Sequence, residues 1–211
     1  MKAIIEKRVV PVVVIDNAAD AVPLAEALLA GGLNMMEITF RTEAAEPAIR
    51  NIARSVPSML IGAGTLLSVE QVDRAAAAGA KFGVAPGLNA RIVAQATARQ
   101  MPFIPGVMTP SEVERGLELG CSILKFFPAA EAGGVGMLKA WAGPYGHTGV
   151  KFIPLGGVNA VNAAEYLALP LVGAVGGSWI ADRKSIAEHK WGEITRRAAD
   201  ILEIAGRAVK R

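Results

Sequence analysis

The sequence predicts an α/β protein of the (β/α)8 TIM barrel type, with residues 1–211 forming a single domain. Three observations lead there. Short apolar runs alternate with Ala-rich amphipathic segments, the order expected of βα units around a parallel sheet. Eight such pairs can be counted, at about 26 residues each, near the lower limit for a closed barrel. No strand is followed by Gly-x-Gly-x-x-Gly opening a helix, so the mark of the competing doubly wound dinucleotide fold is missing.

In chain order, the first strand is read at 9–15 and is followed by a helix over 18–30, which Gly31-Gly32 ends. A second strand at 35–40 precedes a helix over 43–55, and a third at 59–63 precedes a helix over 68–78 that stops at Gly79. The fourth and fifth strands, 82–85 and 103–105, lead into helices over 89–100 and 110–119, the latter closed by Gly120. Strands at 123–127, 151–155 and 173–176 complete the set, with helices over 134–142, 160–168 and about 185–209. The glycines sit where a helix needs a left-handed cap before the next strand. Their spacings of 47 and 41 residues are each close to two βα units, a weak internal periodicity.

At 211 residues, 52% hydrophobic and 19% charged, the chain can bury a sizeable core and lacks the charge density of a disordered segment. Its apolar runs are five to seven residues long, well short of the roughly 18 to 20 that a membrane helix requires. The start, Met1 to Arg8, has no secretory hydrophobic region, so a cytoplasmic location and no membrane partner are expected. Cys121 is the sole cysteine, which leaves no intrachain disulfide or cysteine metal cluster, and it reads as a small buried hydrophobe. His147 and His189 have no ligand spacing, and no metal or other cofactor is expected. The net charge of +3 arises mostly from Lys190, Arg196, Arg197, Arg207, Lys210 and Arg211, with Glu193, Asp200 and Glu203 interleaved on what reads as a solvated helix. Aromatic residues do not alternate with the basic ones, so no nucleic-acid partner is expected, and small anionic substrates suit the charge equally well.

Chemistry is signalled most clearly by Ile123-Leu124-Lys125-Phe126-Phe127-Pro128-Ala129, a strand-like apolar run with one amine in its middle. A charged amine there is costly unless paired or deprotonated, and desolvation favours the neutral form, a nucleophile able to form a Schiff base with a ketone. The alternative is a lysine at an edge strand whose stem covers apolar surface. Alternate residues of a strand share a face, so Ile123, Lys125 and Phe127 point one way, and Leu124 and Phe126 the other. On the second strand Met35, Glu37, Thr39 and Arg41 share a face opposite Met36, Ile38 and Phe40. If the apolar sets pack on the helices, Lys125 and Glu37 both enter the barrel, as catalytic partners or as a structural pair.

The pieces Glu37-Ile38-Thr39-Phe40-Arg41-Thr42, Gly62-Ala63-Gly64-Thr65, Ala85-Pro86-Gly87, Ile104-Pro105-Gly106, Lys125-Phe126-Phe127-Pro128-Ala129, Pro154-Leu155-Gly156-Gly157 and Gly176-Gly177-Ser178-Trp179 occur in one order. In that order they resemble the 2-keto-3-deoxy-6-phosphogluconate (KDPG) aldolase and 4-hydroxy-2-oxoglutarate (KHG) aldolase family, nearly end to end. The resemblance implies a metal-independent class I aldolase built as a (β/α)8 barrel, a homotrimer, acting on a keto-acid sugar phosphate and yielding pyruvate and glyceraldehyde 3-phosphate. Carried over by position, Lys125 is the Schiff-base lysine and Glu37 the general acid and base. Arg41 and Thr65 hold the pyruvyl carboxylate, and Pro86 and Phe127 line its pocket. Gly156, Gly157, Gly176 and Gly177, with Ser178, take the phosphate after the seventh and eighth strands, where barrels often place that group. Taken singly, Arg41 and Thr65 read as surface and cap residues, Pro86 as a loop stop, Phe127 as core, and the glycines as turn formers.

One position departs from the family pattern. Leu155 stands where threonine is common, and a hydroxyl near the phosphate end is lost. A site without that partner discriminates a substrate hydroxyl poorly, which leaves open the C4 epimer 2-keto-3-deoxy-6-phosphogalactonate and 4-hydroxy-2-oxoglutarate, cleaved to pyruvate and glyoxylate. Two further readings remain: a related phosphate-binding barrel acting as an isomerase, epimerase or synthase, and a catalytically silent barrel serving as a binding or assembly module.

Overall fold

A computed structural model describes residues 1–209, so Lys210 and Arg211 of the terminal basic run lie outside the described residues. The chain opens with a helix that the sequence reading left out, α1 (Lys2–Lys7), ended by Arg8 in the left-handed region at φ 61. From there strands and helices alternate: β1 (Val9–Val13), α2 (Ala21–Ala30), β2 (Met35–Thr39), α3 (Ala45–Ser55), β3 (Leu60–Gly64), α4 (Val69–Ala78), β4 (Phe82–Val84) and α5 (Ala90–Ala98). The second half runs β5 (Phe103–Ile104), β6 (Gly106–Val107), α6 (Pro110–Glu118), β7 (Ile123–Phe126), α7 (Gly134–Tyr145), β8 (Lys151–Pro154), α8 (Ala163–Leu167), β9 (Val175–Gly177), α9 (Arg183–Ala187) and α10 (Trp191–Val209).

Every strand pairing is parallel, in the order β5-β4-β3-β2-β1-β9 for one sheet and β6-β7-β8 for the other. Pro105 separates β5 from β6, because a proline has no N–H to give the ladder, so the strand read at 103–105 is two short ones. The sheets also meet at a parallel bridge between Phe152 and Val172, just ahead of β9. The result is a curled parallel sheet wrapped by helices.

Boundaries shift for local reasons. The helix read at 18–30 begins with a 3-10 turn, Ala18–Asp20, which Asn17 caps by accepting from the Ala19 N–H at 3.1 Å. Ser68, Asn89 and Thr109 cap α4, α5 and α6 through their side-chain oxygens, and Thr109 and Glu112 form a reciprocal capping box. The helix read over 185–209 divides into α9 and α10, because His189 takes a left-handed φ of 53 between them. Gly32, Gly79 and Gly120 adopt the expected positive φ of 87, 102 and 78. Gly31 does not; a Cβ there would fall 2.6 Å from that of Ala198, so it serves the close approach of α2 to α10.

Two apolar clusters follow strand parity. Val9, Val13, Met36, Ile38, Leu124 and Phe126 face the helices, where the Trp141 ring lies 5.1 Å from both Phe126 and Phe152. Val10, Val12, Met35, Phe82, Val84, Ile104, Ile123, Ile153 and Leu155 fill the interior, and Ile4 of α1 joins them from the N-terminal end. The interior is thus apolar and plugged below, leaving its polar side chains at the C-terminal ends of the strands. Among the described residues no helix is long and apolar enough to cross a membrane.

Candidate active site

The alternation of β2 and β7 carries Glu37 and Lys125 inside, as parity predicts; they are only 2% and 5% exposed. Both line a small void of about 10 Å³ with Val10, Phe82, Val84, Ile104, Ile153 and Leu155, close to the least space one water needs. Glu37 Oε1 has no hydrogen-bond partner among the described residues. Burial pushes the Glu37 carboxyl above the usual carboxylate range, against the lowering pull of Lys125 and then Arg41. The Lys125 Nζ lies over the Phe127 ring, 4.9 Å from its centroid.

The room for Glu37 comes from β3. Gly62 and Gly64 both face inward, and a Cβ on Gly64 would overlap Glu37 Oε1 and sit 2.5 Å from its Cδ, while one on Gly62 would overlap the Phe82 ring. The alternating glycines of Gly62-Ala63-Gly64 are therefore a signal that could have been read as space for a buried side chain on a neighbouring strand. Gly64→Ala is expected to cost about 1–3 kcal/mol by overpacking. It should also lower kcat by about 10²-fold through a misplaced Glu37. Thermal melting and steady-state kinetics on the same sample check both, and an unchanged kcat would show that Glu37 has no positional role.

Above this void a cavity of about 300 Å³ opens at the strand C-termini, lined by Val12, Thr39, Arg41, Thr65, Pro86, Lys125, Phe127, Leu155, Gly156, Gly177 and Ser178. Lys125 and Leu155 belong to both spaces, so the amine can be reached from the open side while the carboxyl stays sealed. Arg41 stands at the exposed mouth, where its Nε donates to Thr39 Oγ1 at 3.2 Å; the Thr39 hydroxyl in turn donates to the Val13 carbonyl at 3.1 Å. Thr39, only 2% exposed, was seen on the inward face but given no role by sequence reasoning. Its position two residues before Arg41 was the available signal.

Thr65 follows β3 at φ 58, a conformation that β-branched residues rarely hold without a surrounding structure that enforces it. Pro86 is fixed from behind by Gly106, where a Cβ would collide with the Pro86 carbonyl. Gly156 and Gly157 take φ values of 89 and 75, and Gly156 accepts from the Ala130 N–H at 3.0 Å. Of the glycines assigned to the phosphate, Gly156 and Gly177 line the cavity. Gly176 lies behind Leu155, which a Cβ would meet at 3.1 Å, and Gly157 is directed at Ala130. Leu155 is not confined to the phosphate end as the sequence suggested, because it sits beside Lys125 and Glu37. Cys121 is buried, and burial raises its thiol pKa. Trp179 is half-buried, packed against the main apolar core with its ring over Gly177.

Comparison with known proteins gives a consistent result. The family model described as KDPG and KHG aldolase matches residues 1–197. A 2-dehydro-3-deoxy-phosphogluconate aldolase of Treponema pallidum is 48% identical over 199 residues, 94% of each chain. A KHG/KDPG aldolase of Escherichia coli is 43% identical over 195 residues, 92% of this chain and 91% of that one. Among solved structures, a KDPG aldolase from Legionella pneumophila, with pyruvate captured as a covalent carbinolamine intermediate, superposes with a TM-score of 0.87. It is 45% identical, over 91% of this chain and 92% of that one.

Proposed function

The chain belongs to the KDPG and KHG aldolase family, and from that premise we propose that it is a class I aldolase in which Lys125 forms an imine with the ketone of KDPG and Glu37 moves the protons. The observation that carries this reading is the pairing of a buried amine, open to a cavity, with a sealed carboxyl whose Oε1 has no partner among the described residues.

Lys125 must attack as the free amine, and its proton can pass to Glu37, whose burial favours the neutral acid. The nitrogen adds to C2 of the substrate to give a carbinolamine. Glu37 then returns a proton to the departing hydroxyl, which leaves as water and produces the iminium. Now ionised, Glu37 takes the proton of the C4 hydroxyl; the C3–C4 bond breaks, its electrons enter the iminium, and glyceraldehyde 3-phosphate departs from an enamine. Protonation at C3 and hydrolysis of the resulting imine release pyruvate and restore Lys125. Every step conserves atoms without an oxidant or metal. One carboxylate serves as acid and base in turn, worth roughly 10² to 10⁴ in rate.

Arg41 at the mouth, with a planar donor fork suited to a carboxylate, and Thr65 hold the pyruvyl carboxylate in this reading, with Pro86 and Phe127 as the walls. The phosphate end falls to Gly156, Gly177 and Ser178. The N–H groups of Gly156 and Ser178 donate to no acceptor among the described residues, as an oxyanion-binding loop requires. Gly157 and Gly176 act there by shaping the backbone. The reading also includes one domain, as the chain's 211 residues suggest, a homotrimer, as the resemblance implies, and a cytoplasmic location.

Leu155 sets the substrate question. At the reacting end it presents methyl groups where a threonine would offer a hydroxyl, so the C4 hydroxyl is poorly distinguished. The wild-type kcat/KM values for KDPG and its C4 epimer should lie within about tenfold of each other, with 4-hydroxy-2-oxoglutarate also cleaved. Leu155→Thr should shift the epimer ratio by up to about tenfold toward KDPG, the size of one net hydrogen bond. Parallel cleavage assays on the three substrates test this, and cleavage of none of them overturns the proposed activity.

A further inference from the structure

Gly177 and Ser178 line the cavity, and the residue that follows them, Trp179, is held by α10. The Nη1 of Arg197 donates to the Trp179 carbonyl at 3.2 Å, to Asp182 Oδ2 at 2.6 Å and to Ser185 Oγ at 3.3 Å, while its Nη2 bonds Glu193. Asp182 also accepts the Ser185 N–H at 2.9 Å and the Ser185 hydroxyl at 2.7 Å, so the cluster is cross-braced. Burial works to raise the Asp182 carboxyl, but the Ser185 N–H, Arg197 and the Ser185 hydroxyl outweigh it and keep it ionised. The held carbonyl belongs to the residue directly after Ser178, and the Trp179 ring covers Gly177 so closely that a Cβ there would overlap it. Ser178 is itself exposed at the cavity and makes no hydrogen bond among the described residues. Its placement depends on what anchors Trp179.

We propose that Arg197 is a positioning residue for the anionic end of the substrate, acting through the Trp179 carbonyl to hold Gly177 and Ser178 in place for a phosphate group. This rests on the preceding reading of where the phosphate binds. A planar guanidinium reaches several acceptors at fixed angles, which an ammonium cannot, so lysine should replace it only in part. Arg197 touches neither the amine nor the carboxyl that do the chemistry, so its loss should weaken binding of the phosphorylated end and spare imine formation.

The test compares wild type, Arg197→Met and Arg197→Lys in two measurements. One is the KM for KDPG, with inorganic phosphate as a competing inhibitor; the other is the pyruvate concentration giving half-maximal borohydride-trapped adduct on Lys125. Arg197→Met should raise KM and weaken phosphate inhibition by about tenfold, within the roughly 10²-fold that a remote displacement of about 1 Å can cause. The pyruvate response should stay at the wild-type value, and Arg197→Lys should fall between. An equal loss in both measurements, or no change in either, overturns the proposal. If Arg197→Met does not fold, Ser185→Ala, which deletes one hydroxyl of the same cluster, carries the comparison with a smaller shift. A wild-type protein that neither cleaves KDPG nor traps pyruvate overturns the reading of the site instead.

Discussion

Lys125→Ala is expected to lower kcat/KM for KDPG cleavage by at least ~10⁴-fold, because removing a covalent nucleophile removes the whole route and not one stabilising contact. The loss should be insensitive to substrate concentration, since the cavity walls formed by Arg41, Thr65 and Phe127 remain. Fold loss is not the cause to expect. The side chain ends in a pocket open to the cavity, and its strand is held by Ile123 inside and Leu124 and Phe126 against the helices. Borohydride reduction with pyruvate gives the decisive readout: wild type should gain the mass of one reduced pyruvyl group, mapped to Lys125, and the variant should gain none. An adduct on another of the nine lysines, or retained turnover in a folded variant, would sink the assignment.

Glu37→Gln should slow turnover by about 10² to 10⁴-fold, the usual contribution of one positioned proton-transfer group. Glutamine fills the same space beside Gly64 but cannot exchange a proton, so pyruvate should still be trapped on Lys125, only more slowly. The same variant has a pH signature in stability. Burial raises the folded pKa of Glu37, so the stability that the neutral carboxyl provides is complete below its unfolded value, about 4.3, and is lost as pH rises through the folded one. Glutamine cannot ionise. Melting curves of both proteins from about pH 4 upward should therefore diverge, with the glutamine variant gaining relative stability as pH increases. A difference that stays flat, or one that narrows, contradicts a raised carboxyl.

Much of the site could be read from residue order because strand parity is a local rule. Once Lys125 and Glu37 were assigned to alternate faces of apolar strands, their entry into the interior followed from the alternation itself. Arg41 shares the face of Glu37 for the same reason. Chain direction and the βα rhythm likewise predicted the parallel sheet. Boundaries were less accessible, since Pro105 divides a strand and His189 divides a helix through backbone geometry that composition does not announce. The N-terminal helix escaped notice because its six residues make sense only as a plug for the interior, with Ile4 joining side chains from strands far along the chain.

The sequence by itself determined the type of sheet, the inward faces of β2 and β7, and the entry of one amine and one carboxyl into the interior, because these depend on neighbours one or two residues apart. Tertiary structure alone decided which groups meet across strands. It placed the Glu37 carboxyl in the space that Gly64 leaves, brought Leu155 to the reacting end, turned Gly157 and Gly176 away from the cavity, and tied Ser178 to Arg197 through Trp179. Those relations join residues as many as 118 positions apart, such as Glu37 and Leu155. They arise only when the curled sheet brings its strand ends together and packing fixes who shares each cavity.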